Sequence, residues 1–329
     1  MADIDTENRG APQEPVKKKN IFREATDAMR FGFTRAPWFM VFHTLFQVLC
    51  VWAIIPYKFA GEYGMGVHEV LLAVAMLLEY ALHFGPKALK FTTKGTKYGF
   101  AMLKEYFIVL AVIAVIDVGL GIKSVATGDI VFSDVLPKIL NLLMMGTAVG
   151  IVEEISFRAL IFTAWYRLFG SSYKGMIWGG VVSAFLFGFI HVFSDLIGGN
   201  LNSVSSWMQA AGKTLQAGMM GFVFSVIYTR THNLWSVAIL HSVNDLLLMT
   251  SEMFTTKEIA VEYVADADKA GLATGVYVIL AAIAFLFVLR TLREFKRSGA
   301  PALAPFDEGF DPIAPVIAKK PKKNKKAAA

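Results

Sequence analysis

Eight apolar runs, each near the length that spans a bilayer, follow one another at about 37–57, 67–84, 106–122, 136–169, 175–197, 211–228, 234–249 and 272–289. A helix needs about 20 apolar residues to cross the hydrocarbon core, and in lipid it must satisfy its own backbone hydrogen bonds. The pattern predicts an all-α, polytopic membrane helix bundle of about eight transmembrane helices. Charged residues make up 18% of the chain, below the roughly 25% of soluble domains. The expected organisation is a basic tail at 1–36, a membrane domain at 37–293 and a disordered basic tail at 294–329.

The charge of +6 gathers in both tails and in alternate loops, which fits a membrane orientation signal and no nucleic-acid partner. Lys87, Lys90, Lys94, Lys97 and Lys104 fill the second loop, Arg167 and Lys174 the fourth, and Arg230 the sixth. Glu62, then Asp129 and Asp134, then Glu252, Glu258, Glu262, Asp266 and Asp268 mark the opposite set. Both termini are therefore expected in the cytoplasm. The first 36 residues are too polar for the apolar core of a cleavable signal. The one cysteine, Cys50, cannot form an intrachain disulfide and reads as a small apolar residue.

The fourth run holds Val152-Glu153-Glu154-Ile155-Ser156-Phe157-Arg158. A single ionisable side chain at the bilayer centre costs on the order of 3 kcal/mol on insertion scales, so three in six residues need a purpose. On a helix Glu154 and Arg158 share a face and pair, while Glu153 is offset by about 100° and is left for acid–base work. His191 and His241 lie in two later runs, with Asn244 and Asp245 one turn past His241. Taken singly, each histidine reads as an interhelical hydrogen-bonding residue. Together with the carboxylates they form the parts of a polar centre at membrane depth. Glu79, Asp117, His43 and Gln47 also fall in or near apolar runs, where bonding to neighbouring helices is the simpler reading than a substrate path. Gly146-x-x-x-Gly150 and Gly175-x-x-x-Gly179 mark close helix contacts.

The series Glu153-Glu154-x-x-x-Arg158, Phe187-x-x-x-His191 and His241-x-x-x-Asp245, spread over about 140–250, resembles the motifs of the CPBP family. This family comprises CAAX proteases and bacteriocin-processing enzymes, is also called Abi, and includes the type II CAAX prenyl endoproteases. The resemblance implies a glutamate-dependent intramembrane endopeptidase acting on a membrane-embedded or lipidated peptide within a lipid bilayer. Glu153 would, with His191, activate water. Glu154 and Arg158 would hold the local geometry, and Phe187 would pack beside His191. His241 and the residue one turn later would stabilise the oxyanion. That last position is usually Asn in the family and is Asp245 here. An ionised Asp cannot donate, so Asp245 either carries a proton, orients His241, or leaves the amide of Asn244 to act.

Other protease signatures are absent: His68-Glu69 is followed by Leu72 where a zinc motif needs histidine, and no Gly-x-Ser-x-Gly occurs. No cofactor is expected. The alternative is a divalent metal such as zinc held by Glu153, His191 and His241. Two non-proteolytic readings remain, a membrane scaffold, immunity or transport-accessory protein that retains the polar site, and a proton-coupled transporter. The default location is a bacterial plasma membrane, crossed many times.

Overall fold

The computed structural model describes residues 37–54, 63–169, 172–254, 263–265 and 270–298. The two expected tails, apart from the stretch up to Ser298, lie outside these residues, as do Glu62, Glu258, Glu262, Asp266 and Asp268. The described residues fold into helices and no strand. In order they are α1 (Pro37–Ile54), α2 (Gly64–Phe84), α3 (Thr96–Met102), α4 (Lys104–Thr127), α5 (Phe132–Glu153), a π-helix (Glu154–Phe162), α6 (Thr163–Leu168), α7 (Tyr173–Ile197), α8 (Val204–Thr231), α9 (Leu234–Leu248) and α10 (Ala270–Ser298). Short 3-10 turns at Pro86–Leu89 and Thr250–Phe254 complete the set.

Every apolar run is helical over its described residues. Five helices among the described residues, at Gly64–Phe84, Lys104–Thr127, Phe132–Leu168, Tyr173–Ile197 and Ala270–Arg297, are long and apolar enough to cross a membrane. The protein is a multi-pass membrane protein. α1 and α9 are shorter and apolar, and α8 carries more polar residues among its 28. The last helix continues to Ser298, past the expected membrane-domain limit at 293.

Burial orders these helices. α4 and α10 are peripheral, with Ile116, Leu120, Ile279 and Leu286 turned outward, as lipid-facing surfaces require. The continuous rod from α5 through α6 is central, and the π-helix within it is buried throughout. α5 packs on α2 and α9, and α8 on α7 and α10.

Two glycines set the spacing of the helices that carry the polar residues. A Cβ on Gly150 would stand 2.9 Å from the Ser242 backbone nitrogen, so α5 and α9 meet main chain to main chain. A Cβ on Gly188 of α7 would collide with the Thr214 carbonyl of α8. Such close approach is the use of small residues in a bilayer, where helices gain no hydrophobic drive against each other. The turn from α8 to α9 is tight: His232 takes a left-handed conformation, φ +50°, and Asn233 caps α9 by accepting from Trp235. The Asn233 amide also donates to the carbonyls of Thr92 and Lys94, 2.8 Å each, which ties this turn to the Lys-rich loop.

Candidate active site

The Glu153–Glu154 pair stands where the helix type changes. α5 ends at Glu153 and the π-helix begins at Glu154. Its wider turns release carbonyls from the α-helical pattern, and hydroxyls take them up. Thr163 Oγ1 donates to the Arg158 carbonyl at 2.8 Å, and Ser183 Oγ of α7 to the Phe157 carbonyl at 2.7 Å.

Glu154 is fully buried and held from two sides. Arg158 Nε lies 3.2 Å from Glu154 Oε2, and His241 Nδ1 lies 2.6 Å from Glu154 Oε1. Across the imidazole, His241 Nε2 is 3.2 Å from Glu153 Oε2 and 3.6 Å from Asp245 Oδ2. His241 thus bridges a buried carboxylate and a more open pair: the Glu153 and Asp245 side chains are 20% and 17% exposed, against 0% for Glu154.

The Arg158 guanidinium is wholly buried, with its carbon 4.2 Å from the Phe187 ring centre and 5.5 Å from that of Phe224. Its terminal nitrogens meet no hydrogen-bond acceptor among the described residues. The two π faces therefore join Glu154 in compensating a charge removed from solvent. Gly221 makes the room, since a Cβ there would stand 2.7 Å from Phe187 and 3.2 Å from Arg158 Nη2. Phe187 also meets His191 edge-on at 4.8 Å and His241 at 5.7 Å, so one ring separates the cation from both imidazoles.

His191 Nδ1 lies 2.7 Å from the Phe187 carbonyl. A carbonyl only accepts, so Nδ1 carries the proton, and in the neutral ring Nε2 is left as an acceptor. No hydrogen bond joins His191 to Glu153 among the described residues; Glu153 turns toward His241 instead. Asn244 Nδ2 donates to Asp245 Oδ1 at 3.0 Å, and Tyr106 of α4 donates to Asn244 Oδ1 at 2.8 Å. The Asn244 amide is thus committed on both ends. Tyr106, Phe224 and Lys213 were not singled out from the sequence. Lys213 Nζ lies 4.3 Å from the Tyr263 ring centre, and the ring of Tyr263 is 5.3 Å from that of His191.

Every residue of this network from Glu153 to Asp245 falls within residues 135–247, which match the family model described as type II CAAX prenyl endopeptidase, Rce1-like. Residues 135–247 are an Rce1-like domain. It spans roughly a third of the chain. Comparison with curated proteins and with solved structures gave no match. Tyr106 and Tyr263 reach the Rce1-like domain from outside its limits, and so do Val41 and Leu45 of α1, which pack against Phe157, Ile161 and Phe187.

Proposed function

We propose that the protein is an intramembrane endopeptidase that hydrolyses a membrane-associated or lipid-modified peptide, and that the reaction centre lies among Glu153, His191, His241 and Asp245. The observation that carries this reading is His241 set between Glu154 and Glu153, inside the Rce1-like domain. A histidine oriented by a buried carboxylate on one nitrogen and facing a second, partly open carboxylate on the other has the layout of acid–base catalysis.

The steps follow from the donors and acceptors. Water beside the partly exposed Glu153 carboxylate gives a proton to Glu153 as its oxygen adds to the scissile carbonyl. His191 Nε2, an acceptor, orients that water. As Glu153 gains the proton its hold on His241 Nε2 weakens, and that N–H turns to the developing oxyanion, a contribution worth roughly 3 kcal/mol in acyl-transfer sites. Glu153 then passes its proton to the departing amine as the carbon–nitrogen bond breaks. Glu154 and Arg158 keep the imidazole aligned throughout. No ion takes part in this sequence; a divalent metal at Glu153, His191 and His241 is the competing proposal.

Loop charge supports cytoplasmic termini and eight crossings, in what we take to be a bacterial plasma membrane. Reaction of purified protein with a prenylated CAAX peptide in 18O water tests the activity. One labelled carboxylate on the shortened peptide is expected. Intact peptide under conditions where the protein is folded would instead support the non-catalytic scaffold, immunity or transport-accessory reading.

A further inference from the structure

Outside the sequence limits of the Rce1-like domain, α1 and α2 bring together His43, Glu79 and His83. His43 Nε2 lies 3.0 Å from Glu79 Oε1, and His83 Nδ1 lies 3.2 Å from the same oxygen and 3.2 Å from the Glu79 backbone carbonyl, a contact whose proton a metal would displace. One ligand atom from each of the three lies within 4.8 Å of the others, with Glu79 and His83 buried and His43 part-buried. Gln47, one turn on from His43, donates to the other carboxylate oxygen, Glu79 Oε2, at 2.9 Å. Its own Oε1 is buried and has no hydrogen-bond partner among the described residues.

We propose that His43, Glu79 and His83 bind one divalent first-row metal ion, of which zinc is the expected occupant, with Gln47 Oε1 or a water completing the shell. Three kinds of observation carry this. The donor set is two imidazoles and one carboxylate, which suits zinc and its neighbours and not magnesium or calcium. The spacing fits: metal–ligand bonds of about 2.0–2.1 Å in a tetrahedron put ligand atoms about 3.3 Å apart. The two separations from Glu79 Oε1, 3.0 and 3.2 Å, need open only slightly, and the one between the two imidazoles, within 4.8 Å, must close to match. The unpartnered Gln47 Oε1 supplies an oxygen at the edge of the cluster for which a cation, or its bound water, is a fitting partner.

The ion's effect would be structural. His43 and Gln47 lie on a different face of α1 from Val41 and Leu45. The first face meets α2, and the second packs on Phe157 and Ile161 of the π-helix. A metal that pins α1 to α2 thereby holds α1 against the helix that carries Glu154 and Arg158.

The test uses full-length purified protein, stripped with chelator and reloaded with zinc or cobalt(II). Bound metal is measured by mass spectrometry, coordination by the visible cobalt spectrum, and stability by melting. Wild type and Glu153→Gln are each expected to take up one ion, with a tetrahedral cobalt spectrum and a raised melting temperature. His43→Ala and Glu79→Gln are expected to lose the ion or bind it at least about tenfold more weakly. If either variant fails to fold, the other and the wild-type cobalt spectrum still decide. Three results overturn the proposal: no ion bound by wild type, in which case the cluster is a hydrogen-bonded triad; binding that survives in both cluster variants; and binding lost in Glu153→Gln alone, which would put the ion at the reaction centre.

Discussion

His241 Nδ1 lies 2.6 Å from Glu154 Oε1, and the same carboxylate receives Arg158 at 3.2 Å through its other oxygen. One buried glutamate therefore fixes both the imidazole and the cation. Glu154→Gln keeps the shape and an acceptor for His241 but removes the charge. It is expected to fold and to lose about 10²-fold or more in cleavage, since an imidazole without its anionic partner takes up the wrong tautomer or orientation. Glu154→Ala removes the acceptor oxygens as well as the charge, leaving Arg158 only its two aromatic faces, and is expected to cost more stability than Glu154→Gln, about 3–5 kcal/mol. Melting and cleavage measured side by side on the two variants check this. Equal losses of stability would contradict it.

The cavity for Arg158 depends on a missing side chain. Gly221→Val would press on Phe187 and on Arg158 Nη2, at a cost of about 1–3 kcal/mol. Because Phe187 also touches His191 and His241, activity is expected to fall further than the change in melting temperature explains. A variant that melts lower yet cleaves normally at low temperature would separate the cation's pocket from the chemistry.

Asp245→Asn is expected to keep or raise activity, because an amide in that place donates at every pH. A loss of activity would instead make Asp245 the anionic partner of His241 Nε2, from which it stands 3.6 Å away. Tyr106→Phe strips the hydrogen bond from Asn244 Oδ1, an unsatisfied acceptor worth about 1–3 kcal/mol. Its main effect is expected on stability, with kcat little changed.

Orientation is checked by reporter fusions near Lys94 and near Glu258, which are expected on opposite sides of the membrane, Lys94 in the cytoplasm. Identical sides would remove the assignment of both termini.

If water is activated without an ion, the initial rate of freshly chelated protein, measured well below its melting temperature, is expected to be unchanged. Loss of that rate, restored by one divalent ion in protein that melts as before, would favour the metal-centred alternative at Glu153, His191 and His241.

Much of this protein is legible in its sequence because a bilayer forbids most alternatives. Apolar runs must be helices, and charges inside them must face one another. That logic led from Glu153, Glu154 and Arg158 to His191 and His241, and the Glu154–Arg158 pair forms as the four-residue spacing implied. Lys213 sits inside an apolar run and carries the same signal. Which carboxylate faces which imidazole was not legible. Side-chain angle was inferred from an ideal α-helix, whereas the π-helix from Glu154 onward rewinds the turn, and no local residue pattern announces it. Tyr106 gave no signal because a tyrosine near the head of an apolar run is ordinary there. The tie from Asn233 to the Lys-rich loop likewise depends on how distant segments dock.

The central claim is that Glu153 takes the proton from the attacking water. The most direct measurement compares cleavage of a prenylated reporter peptide by wild type and by Glu153→Gln, at matched amounts of folded protein. The account predicts a fall of about 10²- to 10⁴-fold, the usual worth of a general base, with the melting temperature maintained. Full activity in Glu153→Gln would contradict it.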